Sequence, residues 1–171
     1  TINFGGADII NHEQGCDYLE DDCSDMFIAK FDPQGNHVWS KGFGGKGNDY
    51  AEGILTDGEG NVYITGWFMS ESVDFGGGAL ENKSNHQYGG DDDYWGDIFI
   101  AKFDAQGNHI SSKGYGGPGG ESSLSIATGG NDNIYITGFT EPSSVLDFGG
   151  GALEYDTENC SGLSCTGTFI A

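Results

Sequence analysis

Phe27, Ala29 and Phe31 alternate with Ile28 and Lys30, a period of two that predicts a β-strand, and Asp32-Pro33-Gln34-Gly35 supplies the turn that reverses it. The same words return as Phe99-Ile100-Ala101-Lys102-Phe103 followed by Asp104-Ala105-Gln106-Gly107. A second strand, His37 to Phe43, follows the first turn. After the loop from Gly44 to Asp49 come a small, apolar strand from Tyr50 to Thr56, the turn Asp57-Gly58-Glu59-Gly60, and a strand from Asn61 to Phe68. The later copy keeps this order, with strands at Ser122 to Thr128 and Asn133 to Phe139 around the turn Gly129-Gly130-Asn131-Asp132.

The chain is therefore a repeat with a steady period. Phe27 to Phe99 is 72 residues, Asn61 to Asn133 is 72, Phe75 to Phe148 is 73 and Phe99 to Phe169 is 70. Length varies in one loop alone, before each Phe-Ile-Ala strand, which marks that loop as the tolerant, exposed part. The frame divides the chain into 1–29, the end of one repeat, 30–101, a full repeat, and 102–171, a second repeat that stops inside a unit. Four short strands per unit predict an all-β fold of four-stranded antiparallel sheets, the blades of a β-propeller, incomplete at both ends. Thr168, Phe169, Ile170 and Ala171 would then form a strand without its hairpin partner, an edge open to association with another chain.

Composition removes several alternatives. Gly 32 and Pro 3 in 171 residues fit a turn-rich chain without helix. No apolar run approaches the roughly 20 residues that cross a bilayer as a helix, and the opening Thr1 carries no signal segment, so the sequence reads as a mature chain or a fragment. Asp and Glu number 27 against 6 Lys and no Arg, for a net charge of -21. Nucleic acid is a poor partner for such a chain, because phosphate contacts and bidentate base readout depend on Lys and Arg.

Clustered carboxylates favour hard cations, and calcium (Ca2+) is the expected ligand if there is one. The candidates are Asp17, Glu20, Asp21 and Asp22 in the first variable loop, Asp91, Asp92, Asp93 and Asp97 in the middle one, and Asp156 and Glu158 in the last. A solvated acidic loop is the competing reading. Gly44-Gly45-Lys46-Gly47-Asn48-Asp49 partly fits a calcium nonapeptide, but without tandem copies it reads as a connecting loop. Asp57-x-Glu59-x-Asn61 reads as a turn, since Val62 stands where an EF-hand needs Gly. Asp74 and Asp147, beside Phe-Gly-Gly-Gly, read as turn-bonding residues. Cys16 with Cys23, and Cys160 with Cys165, sit at the same place in the repeat. Their spacing suits neither zinc ribbons nor thioredoxin motifs and predicts two short disulfides, hence an oxidising compartment outside the cytoplasm.

Catalytic signatures are lacking: there is no His-Glu-x-x-His, Gly-x-Ser-x-Gly or phosphate-binding loop. His37 and His109 occupy equivalent strand starts and read as structural. Trp39 and Trp67 lie in strands and read as packing, whereas Tyr94 and Trp95, beside three aspartates, are the aromatic pair placed for a ligand.

Phe-Ile-Ala-Lys-Phe-Asp-x-x-Gly-Asn, Trp-Ser-Lys-Gly-x-Gly-Gly and Gly-Ile-Leu-Thr-Asp-x-x-Gly-Asn-Val-Tyr-Ile-Thr-Gly together resemble the bacterial SBBP, or seven-bladed beta-propeller, repeat family. The Asp-Phe-Gly-Gly-Gly-Ala-Leu insert looks like a variant found in surface proteins of myxobacteria-like organisms. The unit is about 20 residues longer than the plain family repeat. The resemblance implies an innermost strand at Ala51 to Thr56, followed outward by Asn61 to Phe68, Phe99 to Phe103 and His109 to Tyr115. The expectation is a non-catalytic extracellular or cell-surface scaffold, or a self-assembling filament or ring subunit, partnered by copies of itself or the rest of a longer chain, with calcium ordering its acidic loops. The alternatives are a carbohydrate- or protein-binding module using the loop face, and, less favoured, a glycosidase or lyase fragment.

Overall fold

The computed structural model describes residues 1–11, 23–84, 96–141, 144–153 and 167–171, with 167–169 described by their backbone. Eleven strands are present among them: β1 (Met26–Phe31), β2 (His37–Phe43), β3 (Asp49–Thr56), β4 (Val62–Phe68), β5 (Ser72–Asp74), β6 (Ala79–Glu81), β7 (Asp97–Phe103), β8 (His109–Tyr115), β9 (Glu121–Thr128), β10 (Ile134–Thr140) and β11 (Gly167–Ile170). The one helical element among the described residues is the single 3-10 turn Gly130–Asp132.

β3, β4, β7 and β8 form one four-stranded antiparallel sheet in that order, a complete blade. It is preceded by the pair β1–β2, the outer half of a blade, and followed by β9–β10–β11, the inner three strands of another. The complete sheet runs from Asp49 to Tyr115 and so crosses the boundary of the sequence repeat at residue 101. The order of its strands is the one that the family resemblance implies.

Turn chemistry closes each hairpin. Asp32, Asp57 and Asp104 each accept two backbone N–H bonds on one carboxylate oxygen, from Gln34 and Asn36, Glu59 and Asn61, and Gln106 and Asn108, at 2.8–3.0 Å. This is the Asx arrangement that Asp and Asn favour in turns. Asp57 also meets Lys102 Nζ at 3.4 Å.

The core follows from the alternation of side chains along a strand. Phe99, Ala101 and Phe103 of β7 pack toward the first blade with Val62, Ile64 and Phe68 of β4, against Met26, Ile28 and Phe43. Ile98 points the other way and joins Ile136 and Leu146 of the third blade, with Ile100, Tyr115 and Ile126 around them. Each blade thus buries one face against each neighbour, as stacked repeats must. A polar tie crosses the second junction: Thr65 Oγ1 donates to the Phe99 carbonyl at 2.7 Å and accepts from Ser123 Oγ at 2.7 Å.

β1 keeps the facing of β7 but has no blade on its outer side among the described residues. Phe27 and Phe31, the counterparts of buried Phe99 and Phe103, lie on the open side of the first blade, and Met26 and Ile28 are the residues turned into the core.

Candidate functional site

Two structures recur where one blade meets the next. The first is built from the Asp-Phe-Gly-Gly-Gly stretch, which forms the hairpin β5–β6 in the middle copy and the equivalent bridges Ile2 to Ile9 and Asp147 to Ala152 in the others. Asp74 Oδ1 accepts from Gly76 N at 2.7 Å and Gly78 N at 3.0 Å, and Asp147 Oδ1 from Gly149 N at 2.6 Å and Gly151 N at 3.1 Å. In the first copy Asn3 does the same work for Gly5 N at 2.7 Å. These bonds hold the Asp74 carboxyl below its ordinary range, led by the Gly76 N–H.

The turn presents one aromatic ring to the seam between blades. Phe75 is buried, 4.9 Å from the Phe43 ring of the first blade and 4.8 Å from Phe99 of its own. Phe148 meets Tyr115 across the next seam at 4.8 Å. Phe4 has its own-blade partners, Phe27 at 5.2 Å and Phe31 at 6.0 Å. Below the turn lies a histidine: a Cβ on Gly77 would come within 2.2 Å of His109 Cε1, and one on Gly6 within 2.4 Å of His37 Cε1, so only glycine admits the ring. Both rings lie 3.1 Å from a serine hydroxyl, His37 Nε2 to Ser40 and His109 Nε2 to Ser112. Each also meets a phenylalanine edge-on, Phe31 and Phe103. The histidines are packing residues.

The second recurring structure is a pair of carboxylates. Asp25 and Asp49 stand at the first seam, and 72 residues later Asp97 and Glu121 stand at the second. Asp49 is buried but well supplied with donors: Ser70 Oγ at 2.6 Å, Ser70 N at 3.2 Å and Gly45 N at 3.0 Å. Burial still pushes it up to about 6. Asp97 is also raised by burial, to about 6, and Glu121 goes to about 8, from burial first and the neighbouring Asp97 charge second. The Gly44–Asp49 loop is thus a connector closed by Asp49 and Ser70.

Of the residues expected to carry function, Asp97 is the first residue of β7, fully buried, with its Oδ2 accepting from Lys83 N at 3.2 Å. Cys23 is buried and disulfide-bonded. Thr168, Phe169 and Ile170 lie in β11, which pairs with β10 on one side, and Ala171 continues that pairing through two bonds to Ile136 at 2.8 and 3.0 Å. Asp17, Glu20, Asp21, Asp22, Asp91, Asp92, Asp93, Tyr94, Trp95, Cys16, Cys160 and Cys165 lie outside the described residues, as do Asp156 and Glu158. Trp39 Nε1 donates to the Ala105 carbonyl at 3.2 Å, joined there by Lys30 Nζ at 2.7 Å, and so ties the first blade to a turn of the second. Trp67 is buried, 4.6 Å from the Tyr50 ring. Among the described residues no group of three or more His, Cys, Asp or Glu side chains gathers as a metal site. Sequence reasoning passed over Glu121 and Asp49 as parts of a loop, although the offset of 72 that relates Asp49 to Glu121 and Asp25 to Asp97 was there to be read.

Known proteins match the same elements. Residues 38–67, which span β2 to β4, match the SBBP family, described as a beta-propeller repeat. The chain is a propeller-type repeat protein. It is also 26% identical over 149 residues to an uncharacterized WD repeat-containing protein of Acanthamoeba polyphaga mimivirus, across 81% of this chain. That span is 10% of the viral protein's length. Among the described residues no helix is long and apolar enough to cross a membrane.

Proposed function

We propose that the chain is a non-catalytic scaffold segment of a propeller-type protein, working outside the cytoplasm, whose open faces receive further repeats of the same kind. The observation that carries this reading is a like-for-like comparison within the molecule. Phe99 and Phe103 are 0% exposed because the first blade covers them, whereas their counterparts Phe27 and Phe31 are 48% and 46% exposed. The covering group at the inner seam is an aromatic residue on an outermost strand, Phe43 or Tyr115, beside the hairpin phenylalanine. The same group fits over Phe4, Phe27 and Phe31.

The opposite end supports the same reading. Among the described residues β11 has no partner on its outer edge, and Gly149 and Gly150 have nothing within 4 Å where Gly76 and Gly77 carry His109. A strand of the type His-x-x-Ser-Lys-Gly-aromatic, as in β8, supplies the missing pairing, the ring and the seam aromatic together. It comes from another copy or from more of the same chain. The disulfide at Cys23, assigned to Cys16 by their closeness in sequence, favours an oxidising compartment. Calcium bound by the acidic variable loops rests on charge alone, the -21 of the whole chain.

Amide hydrogen exchange tests the reading. Raising the protein concentration slows exchange across residues 26–31 and 167–171 together, and Phe27→Asp with Phe31→Asp abolishes the slowing at both while the four-stranded sheet stays protected. Exchange at these two segments that is independent of concentration would reject an open face that receives repeats of another copy.

A further inference from the structure

The two carboxylate pairs are equivalent in place but not in their partners. Asp49 has a donor for every demand its position makes, through Ser70 and Gly45. At the second seam Asp97 and Glu121 are 0% and 1% exposed, and each leaves one oxygen with no hydrogen-bond partner among the described residues, Asp97 Oδ1 and Glu121 Oε1. Their other oxygens accept one backbone bond each, from Lys83 N at 3.2 Å and from Gly117 N at 3.4 Å. The carboxylates converge on the Gly116-Gly117 dipeptide. Gly117 is the donor to Glu121, and a Cβ on Gly116 would lie 2.3 Å from Asp97 Oδ1. Two blades therefore contribute one carboxylate each to one enclosed place.

Physical chemistry does not tolerate that arrangement as it stands. A buried carboxylate oxygen without a donor loses the full hydration of its charge, and a second carboxylate beside it adds repulsion. Relief requires a cation or a proton. The chain has no Arg, and Lys83, whose charge acts on both carboxylates, is exposed and forms no ion pair with either among the described residues. Hard divalent cations take oxygen ligands of this kind, and calcium accepts carboxylates from separate elements in irregular geometry, completing its shell with carbonyls and water.

We propose that Asp97 and Glu121 form a cation site of the calcium class that links the second blade to the third. Asp97 Oδ1, from the head of β7, and Glu121 Oε1, from the head of β9, are the protein ligands on the two sides. The ion neutralises the seam and joins the two sheets, which also meet through apolar contacts, the Glu121 N–H bond to the Gly96 carbonyl at 2.9 Å and the Thr65–Ser123 tie. At the first seam Ser70 and Gly45 already satisfy Asp49, so that pair does not offer two open carboxylates.

Thermal unfolding of the whole chain near neutral pH, in excess calcium and in EDTA, tests the site. Calcium raises the melting temperature of the native chain by several degrees. Glu121→Gln melts in EDTA no lower than the native chain, since it removes a buried charge, and loses the calcium increment. Asp97→Asn gives the same loss and stands in if Glu121→Gln does not fold. Replacing Asp91, Asp92 and Asp93 together by Asn keeps the increment, which separates this seam from the acidic loop. An increment that survives both Glu121→Gln and Asp97→Asn overturns the proposal, as does its absence from the native chain, the outcome expected if the pair shares a proton instead. Neither result bears on whether the open blade faces receive further repeats, which hydrogen exchange reads separately.

Discussion

Asp49 shows at the scale of one residue how this chain places charge. Its carboxyl is buried at the first seam, faces Asp25 across it, and holds its proton more tightly than the unfolded chain does, about 6 against an ordinary 3.8. The stabilising effect of that proton is complete below about pH 4 and is lost as the pH rises through about 6. The shift corresponds to at most about 3 kcal/mol. Measured in EDTA, Asp49→Asn loses less stability than the native chain between about pH 4 and pH 7, by up to that amount, and parallel profiles would contradict the assignment. Asp57 behaves in the opposite sense: Asn61 above all, with the Glu59 N–H and Lys102, lowers it to about 2, so its turn weakens only in strong acid. These carboxylates look alike in sequence. An acid at a strand head and an acid in a turn differ only in what the next blade lays over them, and periodicity does not report that.

At the scale of the element, the strands were the most legible part. Alternating apolar positions bounded by Asp-x-x-Gly located β1 to β4 and β7 to β10 to within two residues, because both signals are local. The Asp-Phe-Gly-Gly-Gly hairpin was legible as a turn but not as the staple between blades, since a lone Phe among glycines carries no period. Its requirement for glycine is now specific. Gly77→Ala drives a methyl group into the His109 ring and costs about 1–3 kcal/mol. Gly150→Ala, with open space before it, costs much less in the 171-residue chain. Chemical denaturation of the two variants checks the difference, and equal losses would show that the histidine does not impose it. The turn at Gly129–Asp132 marks where the repeat has drifted: Asn131 and Asp132 hold φ of 62° and 59°, where Gly60 in the earlier copy holds 82°.

The whole molecule reads as one complete blade between two partial ones, with each seam closed by a phenylalanine staple and a carboxylate pair. Sequence reasoning recovered the sheet order but not which strand faces end at a neighbour. Phe27 and Phe99 sit in nearly identical words, yet one is exposed and the other is sealed, because burial of a repeat depends on the repeat before it. The central claim is that these open faces bind more of the same. Molar mass by sedimentation equilibrium tests it most directly. The account predicts a mass that climbs from 18.1 kDa toward multiples of that value as concentration rises, and a fixed 18.1 kDa for the folded Phe27→Asp, Phe31→Asp variant. A folded native chain that remains at 18.1 kDa over the whole range would contradict it.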